Sequence, residues 1–221
     1  MKRIMFLMLL LSLMVCITSL GWTGAVDDIK AGQTAYEGGD FDKAIRLFTK
    51  AIESGELSPK DLGIAYNYRG IAWLHKADND KAIADFTKAI ALDPKDADAY
   101  KYRGLSWQYI DDDKAIADYT KAIALNPKDA WAYKNRASAW YNKGDNDKAI
   151  ADYTKAIEID PQDDTAWYNR ARTYSISGEK DKALSDLKRA IAFNESFKEN
   201  AKSDEDFKDL WNDKDFQNLT E

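Results

Sequence analysis

The 221-residue chain has few of the residue types on which most catalytic and metal sites depend. It contains one cysteine, Cys16, and one histidine, His75. A single cysteine cannot form an intrachain disulfide, and a lone histidine has no second histidine with which to share a metal ion. No serine lies in the Gly-x-Ser-x-Gly setting of a nucleophile elbow. We therefore expect no catalytic residues, no bound metal and no cofactor.

The chain also has fewer basic than acidic side chains, 32 against 38, which gives a formal charge of −6. Residues 1–25 hold Lys2, Arg3 and no acidic residue, so their removal would leave 30 against 38, or −8. Because nucleic acid is bound by clustered cations, this balance argues against a nucleic-acid partner. With 45% apolar and 12% aromatic residues, the chain can still bury a sizeable core without disulfides.

The N-terminus has the layout of an export sequence. Lys2 and Arg3 precede an apolar run, residues 4–15, that only Ser12 interrupts, and the small residues at positions 23–25 follow after a less apolar stretch. This layout predicts a signal peptide that is cleaved after Ala25. The chain would then be exported, either to a periplasm or into the medium.

Two alternatives to cleavage stay open. Residues 4–22 approach the length of about 18 to 20 apolar residues that spans a bilayer, so an uncleaved segment would anchor the chain in a membrane. Cys16 is placed like the lipid-attachment cysteine of bacterial lipoproteins, but Val15 stands where that class needs a small residue.

A short phrase recurs five times along the rest of the chain. Its copies read DKAIRLFTKAI, DKAIADFTKAI, DKAIADYTKAI, DKAIADYTKAI and DKALSDLKRAI. Their shared alanines are Ala44, Ala82, Ala115, Ala149 and Ala183. A second phrase precedes the last four copies and reads YNYRGIAW, YKYRGLSW, YKNRASAW and WYNRARTY. Apart from a longer first step, the period is about 34 residues, which predicts a solenoid of two-helix units.

The spacing within each phrase is helical. Ala82, Phe86 and Ala89 recur at steps of four and three residues, which places them on one face of a helix. In the preceding phrase Gly70 lies between Tyr66 and Trp73, so that a partner helix can approach closely. Asp-Pro or Asn-Pro pairs follow three of the second helices and should end them, because proline disfavours helical geometry in the residue before it.

In order, these residues resemble the tetratricopeptide repeat (TPR) family. The resemblance is carried in the best copy by Tyr66, Gly70, Trp73, Ala82, Phe86, Ala89 and Pro94. It implies an all-α, right-handed superhelical solenoid of about five helix-turn-helix repeats with C-terminal capping helices. The expected boundaries are 1–25 for the signal peptide or anchor, 26–62 for a divergent first repeat, 63–96, 97–129, 130–163 and 164–197 for repeats two to five, and 198–221 for the cap.

Two further sets of charged residues recur with the repeat. Acidic residues just before the second helices should cap them, namely Asp80, Asp113, Asp147 and Asp181. Arginines in the first helices and aspartates in the second ones should form ion pairs within each repeat: Arg69, Arg103, Arg136 and Arg170 with Asp85, Asp118, Asp152 and Asp186. We interpret both sets as parts of the scaffold.

The candidate binding residues are those of the first helices that the core pattern leaves free. In the TPR family these helices line a concave groove, and the residues that would line it here are Asn67, Lys101, Trp131, Lys134, Tyr141, Tyr168 and Arg172. Such a wall is aromatic and locally basic, which suits an extended peptide with acidic groups. An alternative remains open: Trp131 packs on the preceding helix, and the cations are ordinary solvated charges.

The sequence thus predicts a non-catalytic protein–protein interaction scaffold of the periplasm or cell envelope. Its partner would be a protein or peptide, with acidic peptides among the candidates. A membrane would be involved only through an uncleaved N-terminal segment. That segment defines the first alternative, a membrane-tethered assembly factor. The second is a cell-wall glycan hydrolase, which would need two carboxylates facing each other across the groove.

Overall fold

A computed structural model describes residues 24–108 and 110–221. The predicted export sequence, residues 1–25, falls almost wholly outside the described residues, as does Tyr109. The chain is already helical at Gly24 and Ala25, and Ala25 is buried. In the described ranges, no helix combines the length and the apolar character needed to cross a membrane.

Ten helices follow one another in sequential pairs, and a shorter C-terminal segment comes after them. The helices are α1 (24–37), α2 (Phe41–Glu53), α3 (Pro59–His75), α4 (Asn79–Leu92), α5 (Ala97–Gln108), α6 (Asp112–Leu125), α7 (Ala130–Asn142), α8 (Asn146–Ile159), α9 (Asp164–Ile176) and α10 (Lys180–Phe193). The C-terminal segment consists of α11 (Phe197–Ser203), a 3-10 turn (Glu205–Leu210) and α12 (Lys214–Thr220). No strand occurs in the ranges that the structure describes.

The described residues form two compact units, of which the first ends at Ser106 and the second begins at Trp107. In the first unit the core of the first repeat contains Phe48, which is fully buried among alanines of α2 and α3. In the second unit the C-terminal segment packs on α9 and α10, and Leu187, Phe207 and Phe216 are buried there. The predicted cap therefore covers the last repeat with apolar side chains.

Each first helix approaches its partner at the small residue that the sequence pattern marks. A Cβ atom on Gly70 would lie 2.8 Å from Cε1 and 2.9 Å from Cζ of Phe86, and Gly32 meets Phe48 in the same way. Such distances are shorter than carbon atoms tolerate, so these positions require glycine beside a phenylalanine ring.

The ends of the second helices agree with the sequence in part. α4, α6 and α8 stop at Leu92, Leu125 and Ile159, directly before their Asp-Pro or Asn-Pro pairs, as predicted. The capping prediction is wrong in position, because the caps are Asp78, Asp111 and Asp145, while Glu179 makes no side-chain capping bond. Asp80, Asp113, Asp147 and Asp181 lie instead in the first helical turn, where a carboxylate complements the helix dipole. The third helix also begins at Pro59, ahead of the expected repeat boundary at 63.

Four of the turns within the helix pairs contain a residue of positive φ. Three of these residues are glycines, Gly39, Gly144 and Gly178, with φ near 77°. The fourth is Ala77, with φ of 57°. Its turn has the same backbone hydrogen bonds as the glycine turns, from the amide of Ala77 to Leu74 and from that of Asp78 to Trp73. The second repeat thus holds an alanine in a conformation that favours glycine.

We predict that Ala77→Gly raises the free energy of unfolding by up to about 1 kcal/mol, because relief of the left-handed strain outweighs the added freedom of the unfolded chain. Gly144→Ala is the mirror control and should destabilise the protein by a similar amount. Urea unfolding followed by circular dichroism measures both changes. A loss of stability in the glycine variant would contradict the assignment.

The predicted ion pairs are present in three repeats. Arg69 binds Asp85 through Nε and Nη2 at 2.7 and 2.8 Å, Arg136 binds Asp152 at the same two distances, and Arg170 binds Asp186 at 2.6 and 3.0 Å. All three aspartates are buried. These paired, two-point bonds within the repeat confirm a structural role for the arginines.

These three arginines, and Arg103 of the third repeat, also bind the repeat before their own. The remaining nitrogen, Nη1, donates to a threonine of the preceding second helix: Arg69 to Thr49, Arg103 to Thr87, Arg136 to Thr120, and Arg170 to Thr154, at 2.9 to 3.1 Å. In the first repeat Ala31 and Leu47 occupy the arginine and aspartate positions. Both members of the charged pair are therefore replaced by apolar residues in the first repeat, which no earlier repeat precedes in the described chain.

We predict that Arg136→Met lowers the free energy of unfolding by about 3 kcal/mol, because Asp152 would remain buried without its cation. The double variant Arg136→Met/Asp152→Leu, which places two apolar residues at these positions as the first repeat does, should recover most of that loss. Denaturant titration of the three chains provides the comparison. Equal stability of the single variant and the natural chain would show that the pair contributes nothing.

Candidate functional site

In the first unit, the predicted binding residues contact neighbouring aspartates. The side chain of Asn67 on α3 donates from Nδ2 to Oδ2 of Asp96 at 2.5 Å. Asp96 also accepts a bond from the amide of Ala99 in the first turn of α5. Lys101 lies 2.7 Å from Asp98, and 16% of its side chain is exposed. Nδ2 of Asn67 therefore connects two successive first helices.

In the second unit, Lys134 makes the equivalent connection. Its Nζ lies 2.7 Å from Oδ2 of Asp163, which caps α9 through the amide of Ala166. Trp131 packs edge-on against the ring of Tyr119 on the preceding helix, with 6.0 Å between ring centroids. Of the two interpretations of Trp131 that the sequence left open, this contact favours packing on the preceding helix. Lys134 is likewise paired rather than simply solvated.

The last repeat replaces this charged connection with an aromatic one. Tyr168 occupies the position of Lys134, and Phe197 occupies the position of Asp163 in the repeat pattern. The rings of Tyr168 and Phe197 stack with 4.4 Å between centroids and 15° between planes. Phe197 begins α11, so the series of repeats ends where the polar pair becomes a stacked pair.

The remaining predicted residues converge on the 3-10 turn of the C-terminal segment. Tyr141 donates its hydroxyl to Asp206 at 2.6 Å, and Tyr168 donates to Asp204 at 3.0 Å. Arg172 lies between the two carboxylates, 3.0 Å from Asp204 and 2.6 Å from Asp206. Its guanidinium carbon also lies 5.2 Å from the centroid of the Tyr141 ring. We call Tyr141, Tyr168 and Arg172 the donor cluster.

An aromatic side chain completes this contact. Phe207, next to Asp206, is fully buried and meets the ring of Tyr168 edge-on at 5.7 Å. The chain therefore places the motif Asp204-Glu205-Asp206-Phe207 against α7 and α9. Glu205 is exposed, so the contact involves two carboxylates separated by one residue, followed by an aromatic ring.

The electrostatics of the donor cluster keep all three groups protonated. Burial, and then the hydrogen bond to Asp206, raise the pKa of Tyr141 far above its ordinary value. Burial, together with the charge of Asp204, does the same to the pKa of Tyr168. Burial disfavours the cation of Arg172, but the carboxylates of Asp204 and Asp206 outweigh it and raise its pKa. The cluster consequently directs its hydrogens at the two carboxylates, which accept them.

The sequence pattern located the donors and missed their acceptors. Tyr141, Tyr168 and Arg172 belong to the predicted groove, whereas Asp204 and Asp206 were part of a segment interpreted only as a cap. The alternation of acidic residues around Phe207 is the signal that could have found them. No cluster of three or more residues able to bind a metal occurs within the described ranges.

Comparisons with protein families identify the repeat. Tetratricopeptide repeat models match residues 29–97, 130–163 and 152–185, and a TPR repeat model matches 111–144. The chain is a tetratricopeptide repeat protein. Its fold is the all-α solenoid of that family, as the resemblance implied. No curated protein matches this TPR chain in a sequence comparison.

Solved structures of other TPR proteins share the fold. A crystal structure of MamA is 30% identical, with a TM-score of 0.67 over 75% of this chain and 95% of that one. MamA from Desulfovibrio magneticus RS-1, from residue 41 to its end, is 20% identical, with a TM-score of 0.71 over 78% and 96%. YrrB, described as a TPR protein with an unusual peptide-binding site, is 23% identical, with a TM-score of 0.64 over 77% and 87%. The last two show similarity of fold alone.

We predict that Arg172→Gln loosens the 3-10 turn, because Asp204 and Asp206 lose the cation that lies between them. Amide hydrogen exchange over residues 204–210 should become at least about tenfold faster, since a charged hydrogen bond stabilises by about 1.5 to 3 kcal/mol. The exposed Arg189→Gln on α10 serves as the matched control and should leave this exchange unchanged. Identical exchange in both variants would show that Arg172 does not hold the turn.

Proposed function

We propose that this TPR protein is a non-catalytic interaction scaffold that binds an extended segment of a partner protein along its first helices. The scaffold itself follows from the family, whose members serve as binding surfaces. The peptide-like ligand is supported by one observation. Side chains of two first helices, α7 and α9, already hold a short irregular segment of the chain through hydroxyl, guanidinium and ring contacts.

Features of the donor cluster support binding over catalysis. Its three side chains are donors with raised pKa values, and none of them can act as a general base at ordinary pH. The lone histidine, His75, stacks on Phe41 with 4.3 Å between centroids and bonds to the Tyr36 hydroxyl at 3.1 Å. Histidine in such an aromatic setting has a packing role that accounts for its presence.

The proposal places the scaffold outside the cytoplasm. Its support is the export layout of residues 1–25, with Lys2 and Arg3 before the apolar run. The absence of cysteine after Cys16 suits an oxidising compartment, because no thiol would remain there after cleavage. YrrB, whose fold is similar, is described as having a peptide-binding site, and this supports a peptide as the ligand.

Selection of a random peptide library against the immobilised full-length chain tests the function. We expect peptides to be enriched, and Lys134→Ala, on a first helix, should weaken them by about tenfold, as loss of a charged contact does. Lys155→Ala is the matched control, since Lys155 also pairs with a carboxylate, that of Glu158, but lies on the second helix α8. No enrichment, or equal weakening by both changes, would contradict binding along the first helices.

A further inference from the structure

The donor cluster favours an anionic occupant. Tyr141, Tyr168 and Arg172 direct hydroxyl and guanidinium hydrogens toward one place, where the carboxylates of Asp204 and Asp206 accept them. Buried donors without acceptors cost about 1 to 3 kcal/mol each. A segment on α7 and α9 that supplies carboxylates is therefore favoured over one that does not, whether it belongs to this chain or to another.

The 3-10 turn that supplies them packs chiefly on α9, whereas α11 and α12 pack on α10 and on each other. Its Phe207 also meets the ring of Phe216 of α12, with 5.8 Å between centroids, and both rings are buried. A short 3-10 turn has weak internal hydrogen bonds, so the carboxylate contacts of Asp204 and Asp206 and the buried side chains of Phe207 and Leu210 hold it in place. A segment that exchanges with the turn therefore needs an aromatic ring to fill the place that Phe207 leaves.

Charge neutralisation explains why an acidic chain can still bind an acidic ligand here. Asp204 and Asp206 together compensate Arg172 and repel any second anion that approaches while they remain in place. An incoming segment with the same arrangement of groups would replace these two carboxylates one for one. The exchange leaves the charge and the donor count at the site unchanged.

We infer that residues 204–207 are an internal substitute for a partner's ligand, and that the partner presents an Asp-x-Asp-aromatic segment which exchanges with them on Tyr141, Tyr168 and Arg172. This inference rests on the proposed function and names its ligand class. In the absence of a partner, the chain's own residues 204–207 occupy the site. A partner gains access only when its segment outcompetes the chain's own turn, so the turn sets a threshold for binding.

Binding of a fluorescent peptide with the sequence of residues 202–211, KSDEDFKDLW, to the full-length chain tests the exchange. The variant Asp204→Asn/Asp206→Asn should bind it at least about tenfold more tightly than the natural chain, because the turn loses its charged contacts while the peptide keeps them. Glu205→Gln/Asp209→Asn removes the same two charges from exposed positions of the turn and should bind like the natural chain. A peptide with asparagine in place of both motif aspartates should bind none of the three chains.

Equal affinity of the three chains, or equal binding of the asparagine peptide, would overturn the inference. So would dimerisation of the natural chain in sedimentation, since residues 204–207 of a second copy would then be the occupant. Hydrogen exchange on the natural chain gives an independent measurement that needs no variant. Excess peptide should accelerate exchange at residues 204–210, and an unchanged rate would refute displacement. If the library selection enriches non-acidic peptides instead, the proposed function stands and this ligand class falls.

Discussion

Arg69, Arg136 and Arg170 each hold three helices at once, and the packing of neighbouring repeats depends on that contact. In Arg136 two nitrogens bind the buried carboxylate of Asp152 in the same repeat, and the third binds Thr120 of the repeat before it. A planar guanidinium with fixed donor directions suits this task, because it leaves little freedom in how adjacent second helices lie. The core of each repeat is built largely from alanine and one ring, so directional polar contacts must supply the specificity that such small side chains lack.

A second set of contacts joins successive first helices, and it determines where a ligand can bind. Nδ2 of Asn67 and Nζ of Lys134 reach the aspartates that cap the next first helix, so these two groups bond within the scaffold. The last repeat cannot make this contact, because Phe197 stands where the aspartate would be. Tyr168 stacks on that ring, and its hydroxyl becomes available to Asp204. The donor cluster thus arises at the point where the repeat pattern ends.

Prediction from sequence succeeded where the determining contacts are periodic. The positions of Gly70 and Phe86 recur at a fixed spacing along the chain, so the close approach of the small residue to the ring follows from spacing alone. It was less accurate for the helix caps, because the start of a helix depends on the path of the preceding turn, and Asp78 rather than Asp80 accepts the free amide. It could not show that Asn67 and Lys134 also bond to aspartates, because a partner at the start of the next repeat leaves no trace in the local pattern.

By itself the sequence determined the two-helix repeat, the small residues opposite rings, and the pairing of arginine with aspartate, because each depends on which face of a helix is buried. The tertiary structure decided what the half-buried polar groups bind. A hydroxyl such as that of Tyr141 can accept or donate in many directions, and only the path of the C-terminal segment brings Asp206 within 2.6 Å of it. Periodicity determines which face of a helix is buried. The partner of a polar group depends instead on which distant carboxylate the folded chain brings close to it.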